Sequence, residues 1–164
     1  MQSVVPGPMV VIFGASPPGQ ALVRVLAPTR FQVVVVEDRP ERIAPLPDGV
    51  ALFDGGWEPF MDRGPWGPHT FAVVMTRDHD LDARIVAECL KVQTAYVGLI
   101  GSRRKWAGTQ NKLAAWGAEP AQIQRVRCPI GLDLGGKEPG DIAVSIAAEL
   151  MQRFHALPPR AAPG

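Results

Sequence analysis

Two cysteines, Cys89 and Cys128, are all the chain has; they lie far apart and form no CxxC pattern, so neither a disulfide framework nor a zinc site is expected. Histidine is as scarce, with His69, His79 and His155 too scattered to mark a metal centre. Excess charge is missing: 17 Lys+Arg against 16 Asp+Glu leave a formal +1, which excludes a global field drawing the chain onto nucleic acid or an acidic membrane. No apolar run approaches the ~18 residues of a membrane span. The opening residues MQSVVPGPMVV lack the basic and long apolar regions of a secretory signal, and a cytoplasmic location is expected.

Glycine and proline, in contrast, are abundant at 17 each among 164 residues, yet 46% hydrophobic content argues against disorder. They are clustered. Val10–Phe13, Phe31–Arg39, Phe71–Val97 and Asp141–Leu157 contain neither, so the chain divides into elements and connectors. The runs Val10–Phe13, Val33–Val36, Phe71–Met75 and Ala95–Ile100 are apolar without alternation, as in parallel strands covered on both faces, and Val50–Phe53 reads as a further short strand. Helical spacing appears over Gly19–Ala27, Asp80–Val92 and Asp141–Leu157, the last carrying Ile142, Ile146, Leu150, Phe154 and Leu157 on one stripe. The Pro/Gly-rich stretch from Pro45 to Pro68 is expected to replace a regular helix with a loop. The alternation predicts an α/β fold: one Rossmann-like, doubly wound, mostly parallel sheet in three layers, a single domain over 1–157 with a flexible tail at 158–164.

Gly14-Ala15-Ser16-Pro17-Pro18-Gly19 stands where a dinucleotide fold places GxGxxG. Gly14 suits the tight turn and Gly19 close helix packing, but Ser16 replaces the middle glycine, and Pro17 and Pro18 remove two N–H donors. Glu37 and Asp38 close the second strand, where an acid can hold a ribose hydroxyl or simply pair with Arg39 or Arg42. The Ser16 hydroxyl can still contact a phosphate.

Gly101-Ser102-Arg103-Arg104-Lys105 follows the strand ending at Ile100 and opens a helix to about Trp116, with Ser102 as its cap. Three cations at a helix start oppose the macrodipole. Either a bound anion such as phosphate compensates them, or acids elsewhere on the sheet rim do. Farther on, Arg125–Lys137 reads as a short strand and a glycine-rich loop, in which Cys128 beside Arg127 is a candidate reactive thiol, or a structural one. Cys89 falls on an apolar helix face. In Thr76-Arg77-Asp78-His79-Asp80, Asp78 reads as a helix cap, and His79 between two acids as a base or ligand without a second histidine nearby.

Four segments, VVVEDRPE (Val34–Glu41), VMTRDHDLD (Val74–Asp82), YVGLIGSRRK (Tyr96–Lys105) and RCPIGLDLGGKEPGDIAVSIAAEL (Arg127–Leu150), occur in this order over nearly the whole chain. Together they resemble the Rossmann domain of the XdhC/CoxF family, accessory factors that mature molybdenum hydroxylases such as xanthine and carbon monoxide dehydrogenases. The resemblance implies a non-catalytic role: binding molybdenum cofactor, protecting it during sulfuration and passing it to an apo molybdenum hydroxylase. On it, Ser102, Arg103, Arg104 and Lys105 hold the pterin's phosphate or a nucleotide on its dinucleotide form. Gly14, Ala15, Ser16 and Gly19, with Glu37, Asp38, Thr76 and Gly101, line the crevice, and Gly131, Asp133, Gly135 and Gly136 form its third wall. No metal ligands and no catalytic residues are assigned.

Departures from the family pattern are visible. Family members usually read GAGHV where this chain has Gly14-Ala15-Ser16-Pro17-Pro18, and THDH where it has Thr76-Arg77-Asp78-His79. Many carry a separate N-terminal domain with its own cysteine, so a sulfurase, a partner supplying that domain, or a second copy of the chain are the expected associates, with no nucleic acid and no membrane. Two rival readings stand beside this one: an NAD(P)-dependent oxidoreductase or other nucleotide-binding protein, and a ligand-free dimerisation or docking scaffold.

Overall fold

Because each strand is apolar on both faces, the sheet must be covered on both. In the computed structural model, which describes residues 7–159, this is what occurs. Six strands, β1 (Met9–Phe13), β2 (Gln32–Val36), β3 (Ala51–Phe53), β4 (Thr70–Val74), β5 (Tyr96–Leu99) and β6 (Val126–Arg127), form one sheet in the order β3-β2-β1-β4-β5-β6. Every neighbouring pair is parallel. The chain is thus one Rossmann-like α/β domain.

Val10, Ile12, Val33, Val35, Phe71 and Val73 face one way, onto α1 (Pro17–Leu26) and α6 (Pro139–His155). Val11, Phe13, Val34, Val36, Ala72 and Val74 face the other, onto α2 (Trp57–Arg63), α3 (His79–Cys89), α4 (Arg103–Ala115) and α5 (Pro120–Gln124). The three expected layers are present. Cys89 is fully buried in the second core, and Leu113 with it. The flexible tail expected at 158–164 falls, from residue 160 on, outside the described residues.

Two boundaries differ from the sequence reading. The stretch Pro45–Pro68 contains a helix, α2, after all. Gly56 at φ +94° turns the chain into it, and Pro59 falls in the first turn, where no intrahelical N–H is lost. Phe60 and Met61 then bury against the sheet, Phe60 edge-on to Phe13 at 6.0 Å between ring centroids. The first helix starts at Pro17 rather than Gly19, since proline's fixed φ suits the first helical positions.

The register places the strand ends in one row: Phe13 lies opposite Val36 and Val74, and Val74 opposite Leu99. The turns after β1 and β4 therefore meet where the chain reverses its direction across the sheet. Gly14, at φ +102°, comes so close that a Cβ there would lie 2.7 Å from Thr76 Cα and 2.8 Å from the Met75 carbonyl oxygen. Gly49 has a similar φ of +85° but open space around it. Gly49→Ala is expected to cost about 1 kcal/mol, the left-handed strain alone, and Gly14→Ala roughly 3 kcal/mol or more in urea unfolding. Equal losses would mean that the two turns can separate.

Candidate functional site

The carboxyl edge of the sheet holds a crevice of about 170 Å³ at the switch point. Gly14, Ala15 and Ser16 form one wall, Glu37, Asp38 and Arg39 the end beyond β2, and Thr76, Arg77 and Asp78 the wall beyond β4. Trp57, Leu81 and Ile85 make its apolar floor. Burial first, and Asp38 second, push the Glu37 carboxyl above its ordinary pKa, against the pull of Arg39, Arg42 and Arg77. The acids expected to meet a ribose thus do line a crevice.

The helix start beside them is poor in donors. Pro17 and Pro18 carry no N–H, and the Gly19 N–H is taken by the Ser16 hydroxyl oxygen at 3.3 Å. Gly19 packs close to the Gly14 carbonyl instead of lining the crevice: a Cβ would stand 3.2 Å from that oxygen. One residue escaped the sequence reading here. Gln20 donates to the Ala15 carbonyl at 3.0 Å and accepts from the Ala44 N–H at 3.2 Å, so α1 holds the segment carrying Arg39 and Arg42.

A second compartment, about 160 Å³, opens between α3 and α4 and is lined by His79, Asp82, Gly101, Lys105, Trp106 and Cys128 among others. Ser102 caps α4 by accepting from Lys105 N–H at 3.2 Å, and the first turn contains no acid. Among the described residues, neither Arg103 nor Arg104 forms an ion pair, and both are exposed. Lys105 Nζ donates to His79 Nε2 at 2.8 Å. An ammonium cannot accept, so the ring hydrogen of His79 sits on Nδ1, 4.0 Å from Asp82 Oδ2. Among the described residues, none of the three cations pairs with a rim acid.

Asp82 joins the two compartments. Only 2% exposed, it accepts from the Thr76 N–H at 2.9 Å and the Thr76 hydroxyl at 2.6 Å through Oδ1, while Oδ2 accepts no hydrogen bond. Burial is the main cause that raises its pKa from 3.8 to about 6, opposed by the two Thr76 hydrogen bonds. Asp78 caps α3 as expected, accepting from the N–H groups of Asp80 and Leu81.

Two expectations are corrected. Arg127 does not activate Cys128: its Nε lies 3.0 Å from the buried Glu149 carboxylate, and burial, then Asp82, push the Cys128 thiol up to about 11. The thiol is therefore protonated near neutral pH. Gly131, Asp133, Gly135 and Gly136 do not wall either compartment. Gly131 and Gly136 pack on α6, where a Cβ would lie 2.5 Å from Ser145 Oγ and from Asp141 Cβ respectively; Asp133 and Gly135 are exposed. No group of three or more His, Cys, Asp or Glu side chains among the described residues is arranged to hold a metal ion. Nor is any described helix long and apolar enough to cross a membrane.

A carboxyl whose pKa is raised on folding stabilises the protein when protonated and loses that contribution as pH rises through the folded value. For Asp82 the window is about pH 4 to 6, and the full change is about 3 kcal/mol at about 1.4 kcal/mol per pK unit. Asp82→Asn should remove this slope, so that urea-unfolding stabilities of parent and variant diverge across the window in the variant's favour at higher pH. Parallel curves would contradict the assignment.

Residues 10–150 match the family model of the XdhC Rossmann domain. The chain is 30% identical over 154 residues to a probable xanthine dehydrogenase subunit from Bacillus subtilis strain 168, covering 93% of this chain and 44% of that protein. It is also 26% identical over 148 residues to the uncharacterized protein YqeB of Escherichia coli K12, covering 88% and 27%. Among solved structures, one described as a xanthine dehydrogenase from Bacillus halodurans superposes with a TM-score of 0.81 at 26% identity, over 96% of this chain and 46% of that one. A Rossmann-fold NAD(P)-binding family protein from Shigella flexneri, at TM-score 0.50 and 15% identity over 85% of each chain, shares the fold. The chain spans less than half the length of its xanthine dehydrogenase-named relatives. With the family model spanning residues 10–150, the chain belongs to the XdhC Rossmann-domain family.

Proposed function

We propose that the chain is an accessory factor for a molybdenum hydroxylase of the xanthine or carbon monoxide dehydrogenase type. It binds molybdenum cofactor, or a related phosphate-bearing ligand, as transient cargo and delivers it to the apo-enzyme. The reading is supported by family membership and carried by one observation: α4 opens on three cations with no acid in its first turn, and Arg103 and Arg104 have no ion-pair partner among the described residues. Such a start is unfavourable alone and becomes favourable around an anion. Arg103 and Arg104 take the cargo's phosphate as donors at the rim, and Lys105, held by His79, lines the neighbouring compartment. The task is holding and release, so no residue is given a bond-making role.

A nucleotide reading rests on a different observation, the acids Glu37 and Asp38 in the crevice beyond β2. It meets opposition from the donor-poor start of α1, where a dinucleotide's pyrophosphate would need N–H groups.

Anaerobic titration of the purified chain with molybdenum cofactor, and separately with NAD, NADP and ATP, separates the two. The proposal expects cofactor binding in preference to the nucleotides; tight nucleotide binding without cofactor binding would overturn it. Arg103→Ala with Arg104→Ala is expected to weaken cofactor binding at least about tenfold. Its melting temperature should be unchanged or higher, because the removed charges oppose the helix dipole. Normal binding by the double variant would remove the anion argument.

A further inference from the structure

A long surface helix ordinarily gives its outward face to charged side chains. α6 does not. Its core side carries Ala143, Ile146, Ala147 and Leu150, and Glu149 is buried with its carboxylate 3.0 Å from Arg127. The opposite side, at spacings of three and four residues, reads Asp141, Val144, Ala148, Met151 and His155. Val144 is 50% and Met151 41% exposed, and between Asp141 and His155 this side holds no charge. Leu134, 60% exposed, lies on the loop whose Gly131 and Gly136 pack on the same helix. Of the five exposed large apolar side chains among the described residues, three therefore lie on α6 or on that loop.

An apolar stripe repeating every three and four residues is the seam of a left-handed helix pair. This one is also self-complementary. Laid antiparallel on a copy of itself about Ala148, the stripe sets Val144 opposite Met151 and Asp141 opposite His155, each contact occurring twice, as a two-fold interface requires. Ala148 then meets its own copy where the helices approach most closely, and its small side chain permits the approach. Asp141 spends Oδ2 on the Glu138 N–H and retains Oδ1 as an acceptor for a ring N–H of His155 from the second copy. The acid stands at the positive end of one helix and the histidine at the negative end of the other, so the dipoles favour the same arrangement.

We infer that the outward face of α6 is a self-association surface, and that its occupant is α6 of a second copy of this chain, antiparallel and centred on Ala148. None of the stripe residues lines either compartment of the carboxyl edge, and α4 lies on the other side of the sheet, so pairing leaves both compartments open. The inference does not rest on the proposed cargo. Two 17-residue helices with their flanking loops stand at the low end of specific interfaces, so the dimer is reversible, with a dissociation constant on the order of 10 μM.

Sedimentation equilibrium of the full chain, from roughly tenfold below to tenfold above that value, tests this. The parent should pass from monomer to dimer. Ala148→Glu and Ala148→Lys each set like charges against one another on the two-fold axis, and each should weaken the dimer at least about tenfold. An equimolar mixture of the two should restore it as a heterodimer. Val144→Gln with Met151→Gln, which adds no charge, should also weaken self-association at least about tenfold. All three variants should keep the parent's far-ultraviolet circular dichroism, since the substituted positions face away from the core. A parent that stays monomeric throughout the range, or a dimer that these changes leave intact, would overturn the inference. So would a mixture that stays monomeric, because only the pairing of Ala148 with its own copy makes opposite charges there attract.

Discussion

Everything at the carboxyl edge depends on how near the turn after β1 comes to the turn after β4. The absence of a side chain at Gly14 lets its backbone lie against Met75 and Thr76, closer than any Cβ would allow. Thr76 is held in turn by a carboxylate from α3, which receives both its N–H and its hydroxyl. The result is a single stack, α1 turn, β4 turn, α3, in which one thin wall serves two compartments. Thr76 lines the first compartment and Asp82 the second, so the hydrogen bonds between them join the two walls.

Charge is distributed unevenly along this edge. The end beyond β2 carries Glu37 and Asp38 among Arg39, Arg42 and Arg77, a mixed field in which Glu37 is raised in pKa by burial and by its acidic neighbour. The end beyond β5 carries Arg103, Arg104 and Lys105 without acids in the same turn, and Lys112 there is already occupied by Asp80. A ligand lying along the edge would meet hydroxyl-seeking acids at one end and anion-seeking cations at the other. The polarity is set by which strand each loop follows, and strand order alone places them at opposite ends.

Much of this was legible in the residues. Apolar runs without alternation gave away a sheet covered on both faces, and Ser102 and Asp78 announced the starts of α4 and α3 by their cap chemistry. α2 was hidden because glycine and proline flank it so densely that its three anchors, Trp57, Phe60 and Met61, read as loop residues. Asp82 stayed hidden although a signal existed: with Ile85, Val86 and Cys89 it occupies the buried stripe of α3, and an acid in such a stripe needs a reason. The glycine loop at 131–136 does not form the wall that its composition suggests, because nearness in sequence to α6 does not say on which side of that helix a loop lies. Its glycines serve packing on Ser145 and Asp141.

The two prolines after Ser16 carry the last step. In a dinucleotide fold the β1–α1 turn supplies backbone N–H groups to the anion, and the helix dipole adds to them. Here proline occupies the first two helical positions, and Ser16 uses the next donor, so α1 keeps its stability and its dipole but offers little to hydrogen-bond. For the proposed cargo, anion recognition would have to come from elsewhere on the same edge. The start of α4, which follows β5, is the candidate: its cap consumes only the Lys105 N–H, and it carries side-chain cations. Cations there are electrostatically misplaced until an anion arrives, whereas backbone N–H groups at α1 would hold one at all times with no long side chains to withdraw. On the proposed function, release of cargo gains from the former arrangement, because separate side chains can let go singly while a rigid cradle must give up every contact together.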